Sequence, residues 1–279
     1  MGDLMKIVSA ERPATKEKRQ YHIACAPGEV ARYVLIPGDP ERVPKIASLW
    51  DKAKEVAYHR EYRTFTGNVG GVPISAISSG IGSPSLAITV EELAAIGADT
   101  FVRVGSSGGI QRDVKVGDLV ISSGAVRLEG TSKQYVRPEY PAVSNHEVLL
   151  ALIQAAEKLG HRYHVGITAS TDSFYTGQGR PGLKGYTQSY LKDIVSDLQA
   201  ARVLNFEMET ASLFTIAGVY GLRAGSVCAV FANRVTGEFK AGAGEMASAE
   251  VATEAVKILA RMDKAKRKRG KPHWSPGML

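Results

Sequence analysis

The chain has only two cysteines, Cys25 and Cys228, in 279 residues, and no Asn-x-Ser/Thr sequon. A disulfide framework is excluded, and nothing argues for secretion. Long apolar runs are absent as well. The longest blocks, Tyr33 to Ile36 and Val227 to Ala232, are strand-sized, well short of the roughly 18–20 residues of a membrane span. The first twenty residues lack the apolar stretch of a signal peptide, and Lys6 stands where a myristoylation motif needs Ser or Thr. A soluble, cytoplasmic protein is expected, with no membrane partner. No phosphate-binding Walker sequence occurs, and no internal repeat. What is present, 44% hydrophobic and 23% charged residues, suffices for one large buried core.

The net charge of +7 is misleading. Six cations, Lys264, Lys266, Arg267, Lys268, Arg269 and Lys271, lie within eight residues, leaving +1 for the rest of the chain. This run follows a helical pattern over Ser248 to Met262, so residues 263–279 read as a basic, solvated C-terminal tail. Nucleic-acid binding is not expected, because no aromatic-interleaved patch, zinc spacing or recognition helix accompanies it. His161 and His164 form His-x-x-His without a third ligand at metal spacing, so no metal site is expected.

Short β-rich runs at 33–36, 72–78, 101–104, 118–122, 163–170 and 225–232 alternate with helical patterns at about 41–50, 84–97, 145–159, 185–201 and 209–220. The fold class is α/β: a single domain over residues 21–262, with a central mixed β-sheet wrapped by helices and residues 1–20 as an N-terminal extension. Gly-rich loops after strands are where ligands gather in such folds.

Four stretches carry chemistry. VLIPGDPERV (34–43) reads as a strand, a Pro-Gly turn, then Asp39 and Pro40 as N-cap and first helical residue. Free amides there, with Arg42 beside them, suit an anion such as phosphate. The alternative is a plain cap and a surface arginine. In FVRV-GSSGG (101–109) the apolar setting of Arg103 demands a counter-charge. Because it abuts a Gly/Ser loop, a bound anion is preferred to an internal salt bridge, and Ser106 adds a hydroxyl. STDSFYTGQGR (170–180) sets Phe174, Gln178 and Arg180 in a Gly-rich loop, a combination suited to a flat heterocycle, the alternative being a mobile surface loop. NFEMET (205–210) puts Glu207 and Glu209 on one face of a strand, where carboxylates can accept sugar hydroxyls; a glycosidase pair is rejected because residues two apart on one strand cannot flank a sugar. GIGSPS (80–85), with Ser83 read as a helix cap, is rejected as a dinucleotide fingerprint because Ser85 replaces the third glycine.

VLIPGDPERV, HREYRTFTG, SSGIGSPS, FVRVGSSGGI, DSFYTGQGR, NFEMETA and FANR, in this order and spacing, resemble the nucleoside phosphorylases of the trimeric and hexameric superfamily, and most closely their pyrimidine-specific members. The resemblance implies phosphorolysis of uridine to uracil and ribose 1-phosphate in nucleoside salvage and catabolism. It implies no cofactor beyond phosphate as co-substrate. It also implies a homo-oligomer, a hexamer built as a trimer of dimers, with active sites shared between subunits. Carried over, Gly38, Arg42, Arg103 and Ser106 would hold phosphate, with Arg60 and His22 supplied by a neighbouring subunit, His22 to the 5′-hydroxyl. Glu207, Met208 and Glu209 would serve the ribose, and Phe174, Gln178, Arg180 and Phe231 the base. Arg103, Gln178, Arg180 and Glu209 would form the catalytic set. Asn233-Arg234, where purine-specific relatives carry an aspartate, favours a pyrimidine. A purine nucleoside or methylthioadenosine phosphorylase, and a non-catalytic nucleoside or nucleic-acid binder, are the rival readings.

Overall fold

In β1 (Tyr33–Ile36), Tyr33 and Leu35 enter one hydrophobic cluster while Val34 and Ile36 enter another, so alternate side chains of one strand serve cores on the two faces of the sheet. The structure is a computed structural model that describes residues 7–278; the first six residues, Lys6 among them, and Leu279 lie outside it. Along the chain follow α1 (Arg42–Ala47), β2 (Lys52–His59), β3 (Tyr62–Val69), β4 (Val72–Ile77), α2 (Ser83–Ala95), β5 (Thr100–Gly109) and β6 (Leu119–Arg127). Then come α3 (Ser132–Tyr135), β7 (Ala142–Val143), α4 (His146–Leu159), β8 (Tyr163–Ser170), α5 (Ile194–Ala200), β9 (Val203–Glu207), α6 (Thr210–Val219), β10 (Arg223–Asn233) and α7 (Glu245–Arg269).

The strands form one mixed sheet that partly closes on itself. β5 pairs with both β9 and β10, and β10, β6, β8 and β9 complete the ring; β1, β4, β3 and β2 continue from β5 as an open sheet. One core packs Leu35, Val102 and Val227 against α4 (Val148, Leu152) and α7 (Val251, Leu259). The other packs Val34, Ile36 and Phe101 against α2 (Leu86, Val90) and α6 (Leu213, Phe214). No described helix is long and apolar enough to cross a membrane.

The expected α/β architecture is present, with four local corrections. The Gly/Ser run 105–109 is not a loop: β5 runs through it, paired with β10 from Gly105 to Gly109 with a register shift between Val230 and Ala232. Gly105 is obligatory there, since a Cβ would lie 2.5 Å from Cys228 Sγ and about as close as 3.1 Å to the Arg103 guanidinium. The helix expected over 185–201 is confined to α5, preceded by short 3₁₀ turns in which Lys184 adopts a left-handed φ of 55°. The hairpin β2–β3 was not expected at all, because its outer strand KAKEVAYH is polar and largely exposed. Asp39 does not cap α1; it makes its own turn, Oδ1 accepting the Glu41 N–H at 2.9 Å, and the helix begins at Arg42.

The C-terminal tail is the largest correction, for it is not a solvated extension. α7 continues to Arg269, and the segment beyond folds back so that Trp274 is only 8% exposed in the α4–α7 core. A buried ion network holds it there. Asp263 accepts from Arg223 Nη2 at 2.8 Å and from the Tyr33 hydroxyl at 2.7 Å, while Glu147 accepts from Lys266 Nζ at 2.6 Å and from the Trp274 N–H at 2.9 Å. Lys264, Arg267, Lys268, Arg269 and Lys271 remain at the surface, as a cationic cluster at a helix C-terminus should.

Candidate active site

β5 forms the floor of a cavity of about 520 Å³. Arg103 lies at one end of this floor. Gly108, five residues on and therefore about 16 Å away at the rise of a strand, lies under Arg180, whose Nη2 would be 3.9 Å from a Cβ at that glycine. Around this floor the fold gathers Gly38, Arg42, Arg103, Ser106, Phe174, Gln178, Arg180, Glu207, Met208, Glu209 and Phe231, eleven of the thirteen residues expected from the sequence. Arg60 and His22 do not line it.

Arg103 satisfies most of its charge internally, contrary to the expectation of an external anion alone. Its Nε donates to Glu207 Oε2 at 2.7 Å, and its Nη2 pairs with Glu209 Oε2. Nη1 is buried without a hydrogen-bond partner among the described residues, so the protein leaves one donor of the fork unsatisfied. Arg42 is similarly incomplete. Its Nε is 3.1 Å from Glu245 Oε2 without hydrogen-bond alignment, and its guanidinium sits 5.2 Å over the Phe231 ring. Both arginines line the cavity, and two guanidinium groups at one end of it form a site for an anion. The turns at Gly38 and Gly80 close this end: Gly80 N–H donates to the Gly38 carbonyl at 2.9 Å, and a Cβ on Gly38 would stand 3.1 Å from the Gly80 oxygen.

The two glutamates do not share a strand face. β9 ends at Glu207, and Glu209 stands at the N-cap of α6. Glu207 accepts the amides of Glu209 and Thr210 at 2.9 Å each and the Arg103 Nε–H through Oε2, and the Ser170 hydroxyl through Oε1, so its carboxylate caps α6 and aims the arginine. Glu209 accepts the Gly82 N–H at 2.5 Å through Oε1 and is the carboxylate presented to the cavity. The expected cap of α2 is also corrected: the helix begins at Ser83, and its N-cap is Gly82, without a side-chain cap bond. Burial pushes the Glu209 carboxyl up, against the pull of Arg103.

At the other end, the 3₁₀ turn Thr176–Gln178 brings Gln178 and Arg180 together. Arg180 Nη1 donates to Gln178 Oε1 and to the Phe174 carbonyl, both at 2.6 Å, and the guanidinium stacks 3.9 Å from the Phe174 ring centroid. Arg180 thus covers one face of Phe174, and the two side chains line the cavity together. Gln178 is fixed further by Thr171 and by Arg234, which donates to its carbonyl at 2.8 Å. Burial, and then the charge of Arg234, pull the Arg180 pKa down to about 10, which still leaves a cation at neutral pH. Asn233 does not enter the cavity. Its amide bonds Gln111 O and Val114 O and accepts the N–H groups of Val235 and Thr236, so it shapes the loop after β10 and does not read the ligand.

A profile of the phosphorylase superfamily matches residues 32–265. The chain belongs to the phosphorylase superfamily. It is 69% identical over 273 residues to a uridine phosphorylase of Thermococcus kodakarensis, an alignment covering 98% of each chain. It is 44% identical over 209 residues to a uridine phosphorylase of Escherichia coli, covering 75% of this chain and 83% of that one. A guanosine phosphorylase of Halorubrum lacusprofundi is 41% identical over 222 residues, covering 80% and 87%.

This member of the phosphorylase superfamily also has cavity residues that the sequence reading missed. Ile81 and Phe239 stand at the mouth, 80% and 71% exposed, and Phe206 lines the wall. Ile81 sits within the GIG turn set aside with the dinucleotide motif, and its isolation among glycines was the available signal. Phe239, in a Gly-rich loop behind β10, gave none.

Proposed function

We infer that this chain catalyses phosphorolysis of uridine, with inorganic phosphate as nucleophile and uracil and ribose 1-phosphate as products. One observation carries the reading: a single cavity has two arginines at one end and an amide, guanidinium and phenyl group at the other, with Glu209 and Met208 on its wall. The 69% identity to a uridine phosphorylase favours uridine over guanosine.

Phosphate, held by Arg42, Arg103, Gly38 and Ser106, attacks C1′ as the bond from C1′ to N1 breaks and the sugar passes through an oxocarbenium-like state. The electron pair leaves with the pyrimidine, spreads onto its carbonyls, and is taken up on protonation of uracil. Gln178 and Arg180 receive the developing charge from fixed positions, which lowers the barrier without reorganisation. Phe174 and Phe231 flank the base, and Glu209 with Met208 orients the ribose. No metal or organic cofactor is required, because phosphate already carries the nucleophilic charge.

Arg60 and His22 act in the cavity of a neighbouring copy, Arg60 on phosphate and His22 on the 5′-hydroxyl. Family resemblance supports this, together with their absence from the lining of their own cavity. The same resemblance supports a hexamer, a cytoplasmic location and a place in nucleoside salvage. The test is a panel of uridine, deoxyuridine, thymidine, inosine and guanosine with and without phosphate. Phosphate-dependent loss of uridine with ribose 1-phosphate released is expected; equal rates without phosphate, or preference for a purine, would overturn the reading.

A further inference from the structure

Helix α2 touches both ends of this arrangement. Its N-terminal amide, Gly82 N–H, bonds Glu209 in the cavity, and ten residues on, about 15 Å along the helix axis, stands Glu92. Glu92 is 8% exposed and lies outside the cavity, yet its carboxylate collects donors from one short stretch. It accepts the His22 N–H at 3.1 and 3.2 Å, the Ile23 N–H at 2.9 Å, and meets His22 Nδ1 at 2.6 Å. A carboxylate in this role only accepts, so the ring nitrogen facing it must carry hydrogen. Nε2 is then the polar atom of His22 directed away from Glu92.

The rest of the segment is held in the same pose. His59 Nδ1–H donates to the His22 carbonyl at 2.9 Å, Tyr21 packs edge-on against the His22 ring at 4.9 Å, and Arg60 stacks on Tyr21 at 5.4 Å. Residues 21–22 and 59–60 thus form one preassembled knob carrying both side chains assigned to the neighbouring site.

We propose that Glu92 is a positioning residue for the reaction. It fixes His22 with Nδ1–H inward and Nε2 outward, so that Nε2 meets the 5′-hydroxyl of a nucleoside bound in the neighbouring copy. The proposal rests on the assignment of His22 under the proposed function. The relation is that of a buried carboxylate which selects the tautomer and orientation of an imidazole whose far nitrogen does the binding. Glu92→Gln is the discriminating change, since its amide oxygen can still accept the backbone N–H groups while an amide NH₂ turned to Nδ1 reverses the tautomer.

The experiment measures kcat/KM for uridine and for 5′-deoxyuridine with the intact oligomer of the wild type, His22→Ala and Glu92→Gln. With uridine a loss of about tenfold is expected for His22→Ala, the size of one lost hydrogen bond, and a smaller loss for Glu92→Gln, whose reversed Nε2–H still meets a hydroxyl able to accept. With 5′-deoxyuridine both stay within about twofold of the wild type, and a Glu92→Gln enzyme unchanged on uridine overturns the proposal. If His22→Ala discriminates between the substrates and Glu92→Gln lowers both alike, Glu92 only holds the segment in place and the proposal is overturned while the His22 assignment stands. If His22→Ala does not discriminate, that assignment fails and the proposal falls with it, phosphorolysis itself remaining measured by both substrates. Should Glu92→Gln not fold, ¹⁵N-histidine spectra of the wild type decide, with the His22 resonances assigned against His22→Ala. A hydrogen on Nδ1 is expected, and its absence overturns the proposal.

Discussion

Glu209 pairs with Nη2 of Arg103 on the cavity wall, with both side chains at most 5% exposed. Each is held from its other side, the carboxylate by the Gly82 amide at 2.5 Å and the guanidinium by Glu207 at 2.7 Å. The pair joins the anion end of the cavity to the wall assigned to the sugar, so a change at one is felt at the other.

Glu209→Ala therefore does two things. It removes the acceptor assigned to the ribose hydroxyls, lowering kcat/KM for uridine, and it leaves Arg103 with Glu207 as its only counter-charge. Breaking one side of a buried pair costs about 3–5 kcal/mol, and here Glu207 offsets part of that. Phosphate supplies the missing negative charge, so the melting temperature of the variant should rise more steeply with phosphate than that of the wild type. A thermal melt series against phosphate checks this, and parallel slopes would show that the anion does not meet Arg103.

Arg180→Ala should reduce kcat by about 10² to 10³, the effect of losing one preorganised donor to a developing anion, about 2.7–4 kcal/mol. KM for phosphate should stay near the wild-type value, because Arg180 is at the far end of the floor. Arg180→Lys should not restore the rate. Nη1 bridges Gln178 Oε1 and the Phe174 carbonyl while the guanidinium plane stacks on Phe174, and an ammonium cannot do both. Steady-state kinetics of the two variants, with phosphate varied, test all three statements.

Asp263 makes stability pH-dependent. Burial works against its charge, but hydrogen bonds from Arg223 and Tyr33 hold its carboxyl well below the usual carboxylate range. A depressed native pKa contributes stability above the unfolded value, near 3.9, and that contribution is lost as pH falls through the native pKa. Asp263→Asn should therefore lower unfolding free energy by about 3–5 kcal/mol at pH 7, with the gap to wild type narrowing below about pH 4. Urea unfolding at both pH values measures it. Deleting residues 264–279 removes Lys266 and Trp274 from Glu147, so the truncated chain should melt at lower temperature. No residue of that segment lines the cavity, and phosphorolysis should persist below the new melting point.

Much of the cavity was legible because its chemistry is local. Gly38 with Arg42, Arg103 with Ser106, and Gln178 with Arg180 each stand within four residues of one another, so a short motif carries both members of the pair. What sequence order hides is partnership across the chain. Arg103 meets Glu207 and Glu209 a hundred residues later, and no spacing rule predicts that. The tail misleads for a related reason. Lys266 sits in a run of cations that reads as solvated, yet Glu147 and Asp263 await it in the folded state. Strand β2 escapes notice because an edge strand with an exposed face carries Lys and Glu where a central strand carries Val and Ile.

The final prediction concerns the sharing of sites. If Arg60 acts in a neighbour's cavity while Arg180 acts in its own, Arg60→Ala protein keeps a sound cavity and Arg180→Ala protein keeps a sound donor. Mixing the two under conditions that exchange subunits should regenerate activity that neither parent has. With random, equimolar pairing, half the cavities carry Arg180 and half of the donors facing them carry Arg60, so roughly a quarter of the sites regain both residues. Subunit exchange is followed by native mass spectrometry of isotopically distinct parents, and uridine turnover is measured on the same samples. Activity near a quarter of the wild-type value places Arg60 across the interface. Complete exchange with activity no higher than the mean of the parents would show that Arg60 serves its own chain or none, and the shared-site assembly would have to be abandoned.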